Sequence, residues 1–171
     1  MKPSKLTWIR EAETSDLPRI AQIYNESILK GGVTFDEEEF TGDRIQQWLN
    51  KFSDRESLLV LEQDSVIMGW AILKQYSDRP AYRLTAETSI YLDSRYQGQG
   101  YGQHLQQAIL DVAQDHGYHH LVAKIVACNQ ASIRFHQQFG YELIGTQKEV
   151  GYSRGQWYDI AILQLLLSPS H

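Results

Sequence analysis

Cysteine is almost missing from the 171-residue sequence, Cys128 being the single one. An intrachain disulfide is thereby excluded, and a reducing, cytoplasmic setting is the expectation. Cys128 itself, without a CxxC partner, reads as a small buried residue. No apolar run approaches the ~20 residues a bilayer-crossing helix needs. The opening stretch, Met1-Lys2-Pro3-Ser4-Lys5 and then Leu6-Thr7-Trp8-Ile9-Arg10, is too short and polar for a secretion signal. Positive charge is in deficit, with 16 Lys and Arg against 21 Asp and Glu and a pI near 5.6. That balance argues against a broad basic footprint for nucleic acid or an anionic membrane. No Gly-x-Ser-x-Gly elbow occurs, so a hydrolase nucleophile has no support. His116 and His120 have i, i+4 spacing, but Gly117 breaks any helix between them and no Glu completes a zinc signature, so no metal is expected. Repeats, low-complexity tracts and linkers rich in Pro, Gly or Ser are also missing, which leaves one domain over residues 1–171 with a core from about 6 to 167.

What is present is ordinary globular material, 42% hydrophobic and 22% charged. Its periodicities alternate between two and 3.6, the mark of mixed α and β structure. A first strand is predicted over Leu6–Glu11. Thr14-Ser15-Asp16 supplies N-cap chemistry for a helix with Leu17, Ile20, Ala21, Tyr24 and Ile28 inward, stopped by Gly31-Gly32. A second helix is predicted over Asp43–Phe52. Two strands, Ser57–Glu62 and Val66–Lys74, flank a turn at Gln63-Asp64-Ser65. From Tyr82 to Leu92 the chain alternates, with Ala86 and Thr88 on one face and Glu87 on the other. Tyr101, Leu105, Ala108, Ile109 and Val112 form a long helical stripe closed by Gly117. A short strand over Leu121–Ala127 precedes a helix capped by Asn129 and closed by Gly140. Tyr141–Gly145 and Tyr158–Leu167 read as the last strands. Trp48, Trp70 and Trp157 are expected as core or pocket wall.

The chemistry concentrates in Arg95-Tyr96-Gln97-Gly98-Gln99-Gly100-Tyr101-Gly102, which joins a strand to the long helix. Glycines let successive N–H groups point into one concavity, and a helix N-terminus adds unsatisfied donors and partial positive charge. Such a segment is a pyrophosphate cradle or a plain glycine-rich turn. The dinucleotide fingerprint Gly-x-Gly-x-x-Gly fails here, since the glycines fall at 98, 100 and 102, and the triphosphate loop fails for want of a Lys. What remains is Arg/Gln-x-x-Gly-x-Gly/Ala, which resembles the coenzyme A pyrophosphate loop of the GNAT N-acyltransferases. Asn129, Ser132, Gly140 and Tyr141 match a second element of that superfamily, with His136 where its pattern has Tyr. Asn129 and Ser132 alone would read as simple helix capping.

His136 and the segment Arg79–Tyr91 look like the phosphinothricin and methionine-sulfone N-acetyltransferases. Gly151 to Asp159 resembles that branch's Gly-Phe-Lys-x-Gly-x-Trp-x-Asp. Two positions depart from it: Ser77 stands where many members have a second Arg, and Tyr152-Ser153 replaces Phe-Lys. The resemblance implies an α+β (mixed α/β) GNAT fold, a central mixed and mostly antiparallel sheet flanked by helices. It implies acetyl-CoA as co-substrate, a small amino-acid-like amine as acceptor, and a homodimer. The cofactor-binding residues would be Ile90, Tyr91, Leu92, Gln97, Gly98, Gln99, Gly100, Tyr101, Gly102, Asn129 and Ser132. The acceptor would meet Arg79, Tyr82, Ala86, Glu87 and Thr88, with Arg79 on its acidic group. Glu87 and His136 would share proton transfer in one pocket. As bare residues, Glu87 fits equally a solvated face or a salt bridge, and His136 a satisfied core histidine. A non-catalytic acyl-CoA sensor and a protein-amine acetyltransferase are the competing functions.

Overall fold

The computed structural model describes residues 7–168, and Leu6 and the ends of the expected domain lie outside them. The first strand, β1 (Thr7–Glu11), leads into α1 (Leu17–Lys30), whose buried stripe is the predicted one with Ile23 added. Asp16 does not cap α1 with its side chain. Its carboxylate accepts instead from the Glu13 N–H at 2.7 Å and from Arg10 Nη1 at 2.7 Å, because a single turn of tighter helix at Thr14–Asp16 intervenes. Gly31, at φ 73°, ends α1. α2 (Gly42–Leu49) starts where Thr41 Oγ1 accepts the Arg44 N–H at 3.3 Å, and it stops three residues before the expected Phe52.

The hairpin of β2 (Ser57–Gln63) and β3 (Val66–Gln75) turns through Asp64 and Ser65, both at positive φ, the primed geometry that suits strand twist. Then follow β4 (Thr85–Leu92), α3 (Tyr101–Asp115), β5 (His120–Val126), α4 (Gln130–Gln138), β6 (Glu142–Ser153) and β7 (Gln156–Leu166). They form one seven-stranded sheet in the order β1-β2-β3-β4-β5-β7-β6, antiparallel except at β4–β5. This is the expected α+β arrangement. One apolar layer, with Ile20, Ile23, Ile45 and Trp70, lies under α1 and α2; the other, with Leu105, Ile109, Leu121 and Leu163, lies under α3.

β6 extends to Ser153, well past the predicted Gly145, because Thr146–Val150 is exposed and carries no buried stripe to reveal a strand. Cys128 is exposed, since it sits in the turn before α4 and not in a packed layer. Trp157 is likewise exposed, on the outer hairpin of β6 and β7. The parallel pair is short: β4 and β5 are in register only at Thr85–His120, Ala86–Leu121 and Glu87–Val122. Beyond those three rungs the strands part, and a groove opens along the second half of β4.

Candidate active site

Asp93, fully buried at the end of β4, organises the glycine loop. Its carboxylate accepts from the Arg95 N–H at 2.9 Å and from Arg95 Nη2 at 2.6 Å, and it also meets Arg19. Arg95 and Arg19 hold that carboxyl well below the ordinary carboxylate range. Beyond it, Gly98 and Gly100 take φ 72° and 87°, and a Cβ at either would meet nothing within 4 Å. Open space therefore faces the backbone just where α3 begins, and a side chain there would fill it. Gly102 has another role, since a Cβ on it would lie 3.4 Å from Leu92 and 3.6 Å from Phe135.

The groove has a volume of about 840 Å³. It is lined by Ile90, Tyr91 and Leu92 of β4, by Gln97, Gly98, Gly100 and Gly102, and by Asn129 and Ser132. Asn129 Oδ1 also accepts the Ser132 N–H at 3.2 Å, so the cap and the groove wall are one feature. Gln99 and Tyr101 do not line it. The Gln99 amide turns back to the Arg95 carbonyl at 3.0 Å, and the Tyr101 hydroxyl reaches Gln63 Oε1 at 3.3 Å. Loop donors and a helix N-terminus facing one open concavity fit a diphosphate, and the apolar stretch beside β4 fits a slender thioester arm.

His136 closes the inner end of this groove, only 6% exposed. Its Nδ1 donates to the Ser132 carbonyl at 2.8 Å, which leaves Nε2 as the unprotonated nitrogen of the neutral ring. Burial keeps the imidazole below its ordinary pKa. Its ring stands edge-on to Tyr141, whose hydroxyl is 3.0 Å from Thr88 Oγ1.

A second cavity of about 910 Å³ lies across β4 and holds Glu87, Ser89, Tyr82 and Phe35. Phe35 roofs it from the loop after α1, seated over Gly151 so closely that a Cβ there would come within 2.3 Å of the ring. Ser153 Oγ donates to Glu37 Oε1 at 2.7 Å and ties the same loop to the β6–β7 hairpin. Lys74 and Lys124 were not singled out from sequence. Their ammonium groups lie 3.4 and 3.1 Å from the two oxygens of Glu87. The strand register holds the signal that would have found them, since Lys74 stands opposite Glu87 on β3.

Other expectations for the acceptor are corrected. Arg79 is exposed and outside this cavity, its backbone N–H bonded to Ser77 Oγ at 3.3 Å. Ala86 and Thr88 are 0% and 2% exposed, pointing into the α3 side of the sheet because side chains alternate along a strand. Glu87 and His136 do not share a pocket. They line separate spaces that meet at Tyr91, which borders both. Tyr91 also walls a third chamber with Tyr24, Trp48 and Trp70, and burial pushes its hydroxyl up to about 12.

Residues 9–162 match the acetyltransferase (GNAT) domain. The chain belongs to the GNAT acetyltransferase family. It is similar to the L-amino acid N-acyltransferase MnaT of Escherichia coli, 32% identical over 93% of each chain. It is 30% identical to the L-methionine sulfoximine/L-methionine sulfone acetyltransferase of Pseudomonas aeruginosa, over 95% of each. Among solved structures, the GNAT phosphinothricin acetyltransferase of Sinorhizobium meliloti in complex with acetyl-CoA superimposes with a TM-score of 0.88 at 29% identity, covering 94% of this chain and 88% of that one. This GNAT chain is an acetyl-CoA-dependent N-acetyltransferase. Among its described residues no helix is long and apolar enough to cross a membrane.

Proposed function

We propose that the enzyme acetylates the amine of a small amino-acid-like acceptor of the methionine sulfone, methionine sulfoximine or phosphinothricin type. The observation that carries this reading is the pair of cavities meeting at Tyr91, one edged by loop N–H donors and the other holding a carboxylate, Glu87. Backbone N–H groups of Gln97 to Gly102 hold the pyrophosphate, Asn129 and Ser132 flank the pantetheine arm, and the backbone of Ile90 to Leu92 orients the thioester. A free amine has a pKa near ~10 and arrives protonated, so Glu87 takes its proton, directly or through water. The amine nitrogen then attacks the thioester carbonyl, the C–S bond breaks, and the proton shed by the acylated nitrogen passes through water to the sulfur, which leaves as the free thiol of CoA. His136, neutral and with its N–H spent on Ser132, stands on the thioester side and is no proton donor at neutral pH.

Release of free thiol from acetyl-CoA, measured against amino acids and their sulfone, sulfoximine and phosphinate analogues, tests the assignment. Turnover with such an acceptor is expected. Binding of acetyl-CoA without thiol release from any amine would point to a sensor module instead.

The reading extends to a single-domain, cytoplasmic homodimer. Support for the dimer is the exposure of Leu143, Ile144, Val150, Tyr152 and Trp157 on the β6–β7 hairpin. Support for the compartment is the exposed free thiol of Cys128. Sedimentation at a monomer's mass would remove the dimer.

A further inference from the structure

Lys74, Glu87 and Lys124 form a row across three neighbouring strands. Lys74 stands directly opposite Glu87 in the β3–β4 register, and Lys124 lies two residues beyond Val122, the partner of Glu87 on β5. All three side chains line the acceptor cavity. Each carboxylate oxygen has its own ammonium, Lys74 Nζ at 3.4 Å from Oε1 and Lys124 Nζ at 3.1 Å from Oε2. The lysine side chains are 46% and 44% exposed while Glu87 is only 15% exposed, so the pairs keep the carboxylate charged and the ammonium groups still reach open cavity. The row carries one positive charge in excess, and each ammonium has three donors while Glu87 engages one. The Tyr76 ring, 5.4 Å from Lys124 Nζ, lies beside it as a further wall.

We propose that Lys74 and Lys124 bind the α-carboxylate of a free amino acid whose ammonium rests on Glu87. The inference builds on the acetyl-transfer reading above. In an α-amino acid the ammonium and carboxylate are one carbon apart, so an ammonium on Glu87 brings the carboxylate to the lysine beside it. The alternating row matches the zwitterion charge for charge. It takes over the task expected of Arg79, which lies outside the cavity. A lysine of a folded protein has no carboxylate next to its amine and leaves the clamp empty, so the row selects free amino acids over protein amines.

The test follows CoA release by the full chain with the best acceptor of an amino-acid panel headed by methionine sulfone, and with the primary carboxamide of that acceptor. Wild type should favour the acid by roughly 10- to 100-fold in kcat/KM, the scale of a charge-assisted contact. In the double variant Lys74→Gln with Lys124→Gln the preference should collapse through the KM of the acid, with the KM for acetyl-CoA unchanged. Comparing the acid-to-amide ratio between the two proteins cancels the different basicities of the two amines. Lys124→Arg should keep most of the preference. Acetyl-CoA binding by calorimetry establishes that each variant is folded. Acetylation of acid and amide alike by wild type overturns the clamp while leaving acetyl transfer intact. So does a double variant that loses both acceptors equally, because the lysines would then serve Glu87 alone. Failure of wild type to acetylate any amine would overturn the transfer reading and the clamp with it.

Discussion

Changing Glu87 to Gln keeps the side chain's shape and removes its charge, along with both ion pairs. If Glu87 accepts the amine proton, turnover at neutral pH should drop by about 10²- to 10⁴-fold. Acetyl-CoA affinity should hold, because Glu87 is not part of the cofactor groove. Steady-state kinetics beside calorimetry reads both, and undiminished turnover removes Glu87 from the mechanism. His136 predicts a stability effect instead. Burial holds its folded pKa below the ordinary 6.5, so the unfolded chain takes up the proton more readily. The stability this group allows is complete above about pH 6.5 and is lost as the pH falls below it, until the folded ring also protonates. His120, lowered by burial and by His119, acts in the same direction. Urea unfolding from pH 7.5 to 5 should show a shallower decline in His136→Phe than in wild type, and parallel declines would contradict the assignment. Glu87 was legible because alternation along one strand put it opposite Ala86 and Thr88. Its lysines were not, for their meeting depends on the register of three strands that no single segment encodes.

Within the loop between β4 and α3, backbone conformation does the work and side-chain identity follows from it. Gly100 at φ 87° occupies a region where an L-residue is strained by roughly 1–2 kcal/mol, and a branched Cβ there would fill the open space of the groove. Gly100→Val is therefore expected to cut acetyl-CoA affinity tenfold or more while circular dichroism still reports a folded protein. Normal binding by a folded variant would refute the cradle. This element could be read from sequence because glycine spacing states a backbone requirement locally. Gln99 and Tyr101 belong to the same motif, yet their side chains turn away to Arg95 and Gln63, a direction set by the packing of α3 and β2. β6 was the least legible element. A strand at the sheet edge with its residues exposed through Val150 shows no apolar alternation, and only its hydrogen-bonded partner β7 defines it.

At the scale of the whole sheet, the described residues form two ladders, β1 to β4 and β5-β7-β6, joined by three rungs. The hydrogen bond between Ser153 and Glu37 spans the same divide. Beyond Glu87 and Val122, the peptide groups of β4 that face away from β3 have no strand beside them among the described residues. Unpartnered backbone groups bordering open water are the ones that exchange their hydrogens fastest. A ligand whose arm carries amides of its own can serve as the missing strand there. Acetyl-CoA at 100 times its dissociation constant should then add about 2.7 kcal/mol to stability. In deuterium exchange, slowing should concentrate in Ser89 to Leu92 and in the loop up to Gly102, with β1, β2 and the outer hairpin almost unchanged. The parting of two strands thus becomes a map of isotope uptake, bright along one side of β4 and dimmed when acetyl-CoA binds.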